Sequence, residues 1–78
     1  MPASEELAHA LRRVSGTDLD EAGAANAWAG TDGLDLLGAL NAKAGNTTND
    51  TVKGLLGVLN QLAGTTDLDV NGAAAALI

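Results

Sequence analysis

Apolar residues fall into short runs along the chain, separated by turns rich in Gly, Thr and Asp. The first run, SEELAHALRRVSG (4–16), sets Leu7, Leu11 and Val14 at i, i+4 and i+7, the spacing of one helix face. Ser4 is placed to cap that helix, with Glu5 and Glu6 near its positive end and Arg12 and Arg13 near its negative end. Four shorter runs follow, and the pattern predicts an all-α fold of five short helices. The run at 51–63 is the most apolar, with Val52, Leu55, Leu56, Leu59 and Leu62 on one side and Val58 off it. It is expected to form the centre of the core.

The four later runs superimpose when an inner glycine is aligned: GAANAWAG (23–30), GALNAKAG (38–45), GVLNQLAG (57–64) and GAAAALI (72–78). The aligned residues, Gly23, Gly38, Gly57 and Gly72, stand 15, 19 and 15 residues apart. The first three runs hold an asparagine at the fourth position (Asn26, Asn41, Asn60) and close with a second glycine (Gly30, Gly45, Gly64). Gly16 closes the first helix in the same way, and His9 occupies the place of its inner glycine. The last run carries Ala75 instead of asparagine, as terminal repeats often depart from the pattern. One domain is expected over 1–78, made of an N-terminal helix (1–15) and a four-unit, glycine-punctuated helix-turn repeat (16–78).

Between the runs lie GTDLD (16–20), GTDGLD (30–35), GNTTNDT (45–51) and GTTDLD (64–69). A closing glycine suits the left-handed position just past a helix end, and a following Thr or Asp caps the next helix. Thr17 with Asp20, and Thr66 with Asp69, have capping-box spacing, with Asp in place of Glu. The third turn absorbs the extra residues, which a surface loop tolerates at little entropic cost. An inner glycine costs about 1 kcal/mol against alanine in a helix. Its recurrence is therefore expected to mark close contacts between neighbouring helices. The asparagine three residues on shares that face. Its amide is expected to satisfy backbone groups of an adjacent turn; the alternative is that the three asparagines line a ligand groove.

Composition narrows the functions available. The chain has no cysteine, and Trp28 is its one aromatic residue, so the core must be built from Leu, Val and Ala. A chain of 78 residues buries only about 60% of its unfolded surface, and docking on partner chains would add stability. Trp28 is read as a core plug or, if exposed, as an interface hot spot. Net charge is −6, with only Arg12, Arg13, Lys43 and Lys53 as cations. That balance excludes a basic face for nucleic acid or for an anionic membrane surface. No apolar run approaches the ~20 residues of a membrane span. The start, MPASEELAHALRR, has no long apolar segment, so synthesis in the cytoplasm without a signal peptide is expected. Asn46-Thr47-Thr48 and Asn49-Asp50-Thr51 match the glycosylation sequon but are read as a polar loop.

Reactive chemistry is sparse. Asp67-Leu68-Asp69-Val70-Asn71-Gly72 matches the first half of a calcium loop, but Ile78 stands where the bidentate Glu belongs. The repeat explains the same residues as a helix cap followed by the inner glycine. His9, the only histidine, would need Ser4 or Ser15 beside it for a hydrolytic triad, and both fall at helix ends. It is read as a helix-surface residue. No catalytic, metal or cofactor residues are assigned, and no small-molecule substrate is expected.

The stretch AGTDGLDLLGALNAKAG, followed by GVLNQLAGTT, resembles small repeat-bearing virion proteins of tailed phages that infect Actinobacteria. The resemblance covers about residues 16–78. There, such units occur alone or appended to larger tail or fibre proteins. The resemblance implies a structural role in the virion and brings no catalytic residues. The leading expectation is an accessory or minor capsid protein, a head decoration bound to major capsid subunits and to further copies of itself. A tail or tail-tip component is the alternative within assembly. A small acidic regulatory binding module is the alternative outside it. Leu77 and Ile78, at the end of AAAALI, are expected either to fold onto the helix at 51–63 or to insert into a neighbouring subunit.

Overall fold

The computed structural model describes the backbone of residues 3–78 and the side chains from Glu5 onward. Five helices follow one another: α1 (Ala3–Ser15), α2 (Glu21–Ala29), α3 (Leu36–Ala44), α4 (Leu55–Ala63) and α5 (Val70–Leu77). Among the described residues there is no strand. Each helix packs on its neighbours in the chain, and α5 returns to pack on α1. The result is a closed ring, flattened to 32 × 29 × 17 Å.

One local design is repeated around this ring. Gly16, Gly30, Gly45 and Gly64 all adopt φ between 70° and 83°, the left-handed conformation that ends a helix. The residue after each glycine donates its N–H back into the helix: Thr17 to Arg12 O, Thr31 to Asn26 O, Asn46 to Asn41 O and Thr65 to Asn60 O. Asp20, Asp35 and Asp69 then start the next helix, each accepting at 2.7 Å from the N–H of the inner glycine, Gly23, Gly38 or Gly72. Just after that glycine come two buried residues: Ala24 and Ala25, Ala39 and Leu40, Val58 and Leu59, Ala73 and Ala74. Aligned on its closing Gly16, α1 supplies Ala10 and Leu11 at the same two places, and both are fully buried. The first helix is thus a fifth unit of the ring.

Side-chain sizes alternate so that the ring can close. The helices α2 and α5, which flank α1, present alanine pairs, while α1 brings Leu7 and Leu11 between them. Across the ring, Leu40 of α3 meets the more bulky pair Val58 and Leu59 of α4. Burial of each large side chain contributes about 1.5–3 kcal/mol. The few that are fully buried therefore carry much of the core.

The asparagines hold the linkers. Asn26 Nδ2 donates to Ala22 O and Leu34 O, both at 2.8 Å, while its Oδ1 accepts from Thr31 Oγ1 (2.7 Å) and Leu34 N (3.2 Å). Asn60 repeats this set with Leu56 O, Leu68 O, Thr65 Oγ1 and Leu68 N, at 2.6–3.0 Å. Asn41 reaches Leu37 O, Lys53 O, Lys53 N and Asn46 Nδ2, at 2.9–3.1 Å. Two donors and two acceptor sites exhaust an amide. Each asparagine thus grips both backbone groups of the residue just before the next helix cap. In α1, Arg12 stands in the asparagine's place, and its Nε donates to Leu19 O at 2.7 Å.

Several expectations need correction. The helix predicted over 51–63 begins only at Leu55. Thr48 and Thr51 form a turn, and the Asn41 clamp pulls Lys53 out of helical geometry. Gly54 then starts α4 with no side-chain cap. Val52 and Leu56 accordingly lie about half exposed, while Val58 is buried with Leu59. Asp20 and Asp69, not Thr17 and Thr66, are the caps. The inner glycines do not mark contacts between helices. A Cβ on Gly23 would meet Leu19 Cβ at 2.9 Å and Asp20 Oδ1 at 3.0 Å. On Gly38 it would meet Asp35 Oδ1 at 2.8 Å, and on Gly72 Asp69 Oδ1 at 3.1 Å. These glycines make room for their own helix caps. The capping role expected of Ser4 lies outside the residues whose side chains are described.

Two stability outcomes follow. At Gly57, where the cap residue is Gly54, a Cβ would meet only the Lys53 side chain, at 3.5 Å. Gly57→Ala should therefore raise stability by up to about 1 kcal/mol through helix propensity, whereas Gly23→Ala should lower it by about 1 kcal/mol or more. Urea denaturation of both variants checks the pair, and equal effects would refute the cap explanation. Asn60→Ala should cost about 2–4 kcal/mol, because it removes all four hydrogen bonds of a buried amide and leaves Leu68 N–H and C=O without their partner. Asn60→Asp, the same shape with an acceptor facing two carbonyls, should be as damaging at neutral pH in the same melts.

Candidate functional site

The residues singled out in the sequence divide into those committed to the fold and those left at the surface. Asn26, Asn41 and Asn60 are 4–8% exposed, and all their polar capacity is used internally. Asn26 and Asn60 border shallow surface grooves but have no polar atom left to offer a ligand. Gly16, Gly30, Gly45 and Gly64 end helices, and Gly23, Gly38 and Gly72 accommodate the caps. In the long third turn Asn46 also exchanges hydrogen bonds with Gln61 of α4, at 2.7 and 3.3 Å. This brace crosses from the turn to a later helix and offsets the length of the turn.

Trp28 is half-buried against the core and carries the Lys43 ammonium 5.0 Å from its ring centroid. These two residues occupy the same position in successive units, as do Val14, Leu62 and Leu77. Val14, Trp28, Leu62 and Leu77 all pack against the core from the edge. Leu77 is therefore partly a core residue, but Ile78 is 56% exposed. The expectation that both terminal residues fold inward holds for Leu77 only, because α5 ends there and its packing face ends with it.

The groove between α1 and the start of α2 is lined by Glu5, Glu6, Ala8, His9, Arg12, Asp20 and Glu21. His9 is exposed there. Ser15 Oγ pairs with Thr17 Oγ1 and Arg12 O and does not serve as a partner for the imidazole. One buried carboxylate oxygen, Glu21 Oε2, has no partner. In the equivalent place of later units stand Leu36, Leu55 and Val70, so Glu21 is a carboxylate at a position the repeat makes apolar. Among the described residues no three His, Asp or Glu side chains group as metal ligands, and no helix is long and apolar enough to cross a membrane.

The surface feature that the sequence pattern did not single out is apolar. Leu19, Leu34, Leu37, Val52, Leu56 and Leu68 are all between 37% and 50% exposed. Large exposed side chains in this number are the mark of an interaction surface when they are contiguous. The signal was present as the dipeptide Leu-Asp at the start of three units: Leu19-Asp20, Leu34-Asp35 and Leu68-Asp69. Its aspartate reads as a cap, and its leucine reads as the first residue of an apolar run. In the fold that leucine lies outside the helix, held there by the asparagine or arginine that grips its backbone. No protein-family model, no curated protein and no solved structure matches the chain.

Proposed function

We propose that this protein is an assembly component of a tailed-phage particle, acting as an accessory or minor capsid protein that docks on larger head subunits. The observation that supports this most is the set of exposed leucines at equivalent positions of a thin, closed ring. The repeat resemblance noted above points the same way. In the groove beside His9 the one buried, unpartnered polar atom is Glu21 Oε2, whereas a catalytic pocket is expected to bring several such groups together. A thin acidic ring with an apolar edge suits addition to a pre-existing surface, where docking would also stabilise a small core.

The same surface suits a tail or tail-tip position, and copy number separates the two. Quantitative mass spectrometry of purified virions should find this chain in high copy number relative to the tail-tip proteins. A handful of copies per particle would move it to the tail. Absence from particles made by cells that express it would leave the regulatory binding module as the reading.

A further inference from the structure

The exposed leucines follow the ring. Leu19, Leu34 and Leu68 occupy one position of the unit, immediately before the capping aspartate. Leu19 and Leu34, from successive units, line one groove together with Gly23, Asn26 and Asp32. Leu56 and Leu68 line the matching groove with Gly57, Asn60 and Asp67. Equivalent positions of the repeat thus carry the same feature in two separate grooves around the ring. Exposed carboxylates accompany each leucine of the rim: Asp18 and Asp20 at Leu19, Asp32 and Asp35 at Leu34, Asp67 and Asp69 at Leu68. Against these six, the whole chain has only four cations, Arg12, Arg13, Lys43 and Lys53, and Arg12 is engaged with Leu19 O.

We infer that these leucine-lined, aspartate-bordered grooves dock a protein surface on which apolar side chains are interspersed with arginine or lysine. The inference rests on the assembly reading above and names the chemistry of the partner. Apolar side chains of the partner enter the two grooves, and its cations meet the aspartate oxygens that capping leaves free. Charge selects this occupant over others. A second copy using the same grooves would set exposed carboxylates against exposed carboxylates. Nucleic acid and anionic lipid are repelled for the same reason.

The test is a titration of the isotope-labelled, intact protein, followed by amide NMR, with three synthetic amphipathic peptides. One interleaves Leu with Arg, one Leu with Glu, and one Ser with Arg. The Leu/Arg peptide should shift amides at 18–23, 31–37 and 56–69, and added salt should weaken the effect. The Leu/Glu and Ser/Arg peptides should bind at least about tenfold more weakly, lacking charge or apolar complementarity. Asp18→Lys, Asp32→Lys and Asp67→Lys together, none of which caps a helix, should abolish Leu/Arg binding and leave the melting temperature unchanged. Shifts centred elsewhere, equal binding of Ser/Arg, or unchanged binding by the triple variant would overturn the inference. So would dilution shifts at the same amides, which would mark a second copy as the occupant. Shifts at these grooves in a protein absent from virions would remove the virion assignment and keep the docking grooves. Virion protein without such shifts would do the reverse.

Discussion

A backbone that leaves one helix and must begin another carries N–H and C=O groups that no ladder satisfies. In this ring a carboxamide from the preceding helix takes both groups of one linker residue, and the linker cannot drift without breaking three hydrogen bonds at once. Everything else follows from that fixed point. Because the residue before the cap is held, the cap residue, aspartate in three units and Gly54 in the fourth, is delivered to the same place. Because the helix starts in the same place, the two residues after the inner glycine always turn inward. The angle between units is then set locally, and five such steps bring α5 back to α1.

Much of this was legible in the sequence, because stop and start signals are chemical and local. Closing glycines, aspartate caps, five helices and the asparagines' part in holding turns all depend on residues a few positions apart. The inner glycines were legible as a recurrence but not as a cause. A helical wheel shows which residues share a face, and it cannot show that the place of a Cβ is taken by the chain's own cap. The late start of α4 was hidden for a similar reason. Residues 51–54 have acceptable helical periodicity, and only the pull of Asn41 on Lys53, across the long turn, removes them from the helix. The exposed leucines were missed because hydrophobicity was read as burial, whereas gripping a leucine's backbone outside the helix keeps its side chain at the rim.

The first helix shows how loosely the unit may be written and still fit. It has histidine where the others have glycine, and arginine where they have asparagine, yet Ala10, Leu11 and the Arg12–Leu19 bond reproduce the essential geometry. Arginine can do this with a longer reach because the linker after α1 is one residue shorter, and a single donor on the leucine carbonyl suffices. Its bulkier Leu7 and Leu11 fill the space that the alanine faces of α2 and α5 leave. A ring of five identical alanine-faced units would have an empty centre, and the departure of α1 from the repeat is what fills it.

Closure of the ring also bears on how the chain folds and opens. Four of the five helix interfaces join neighbours in sequence and form with little loop-closure entropy, so assembly by successive addition of units is fast. The α1–α5 interface is the one pairing between distant parts of the chain, so closing it carries the largest loop-closure entropy. It is therefore the one joint of the ring that no linker tethers, and parting it would leave a C-shaped arc with every asparagine clamp intact.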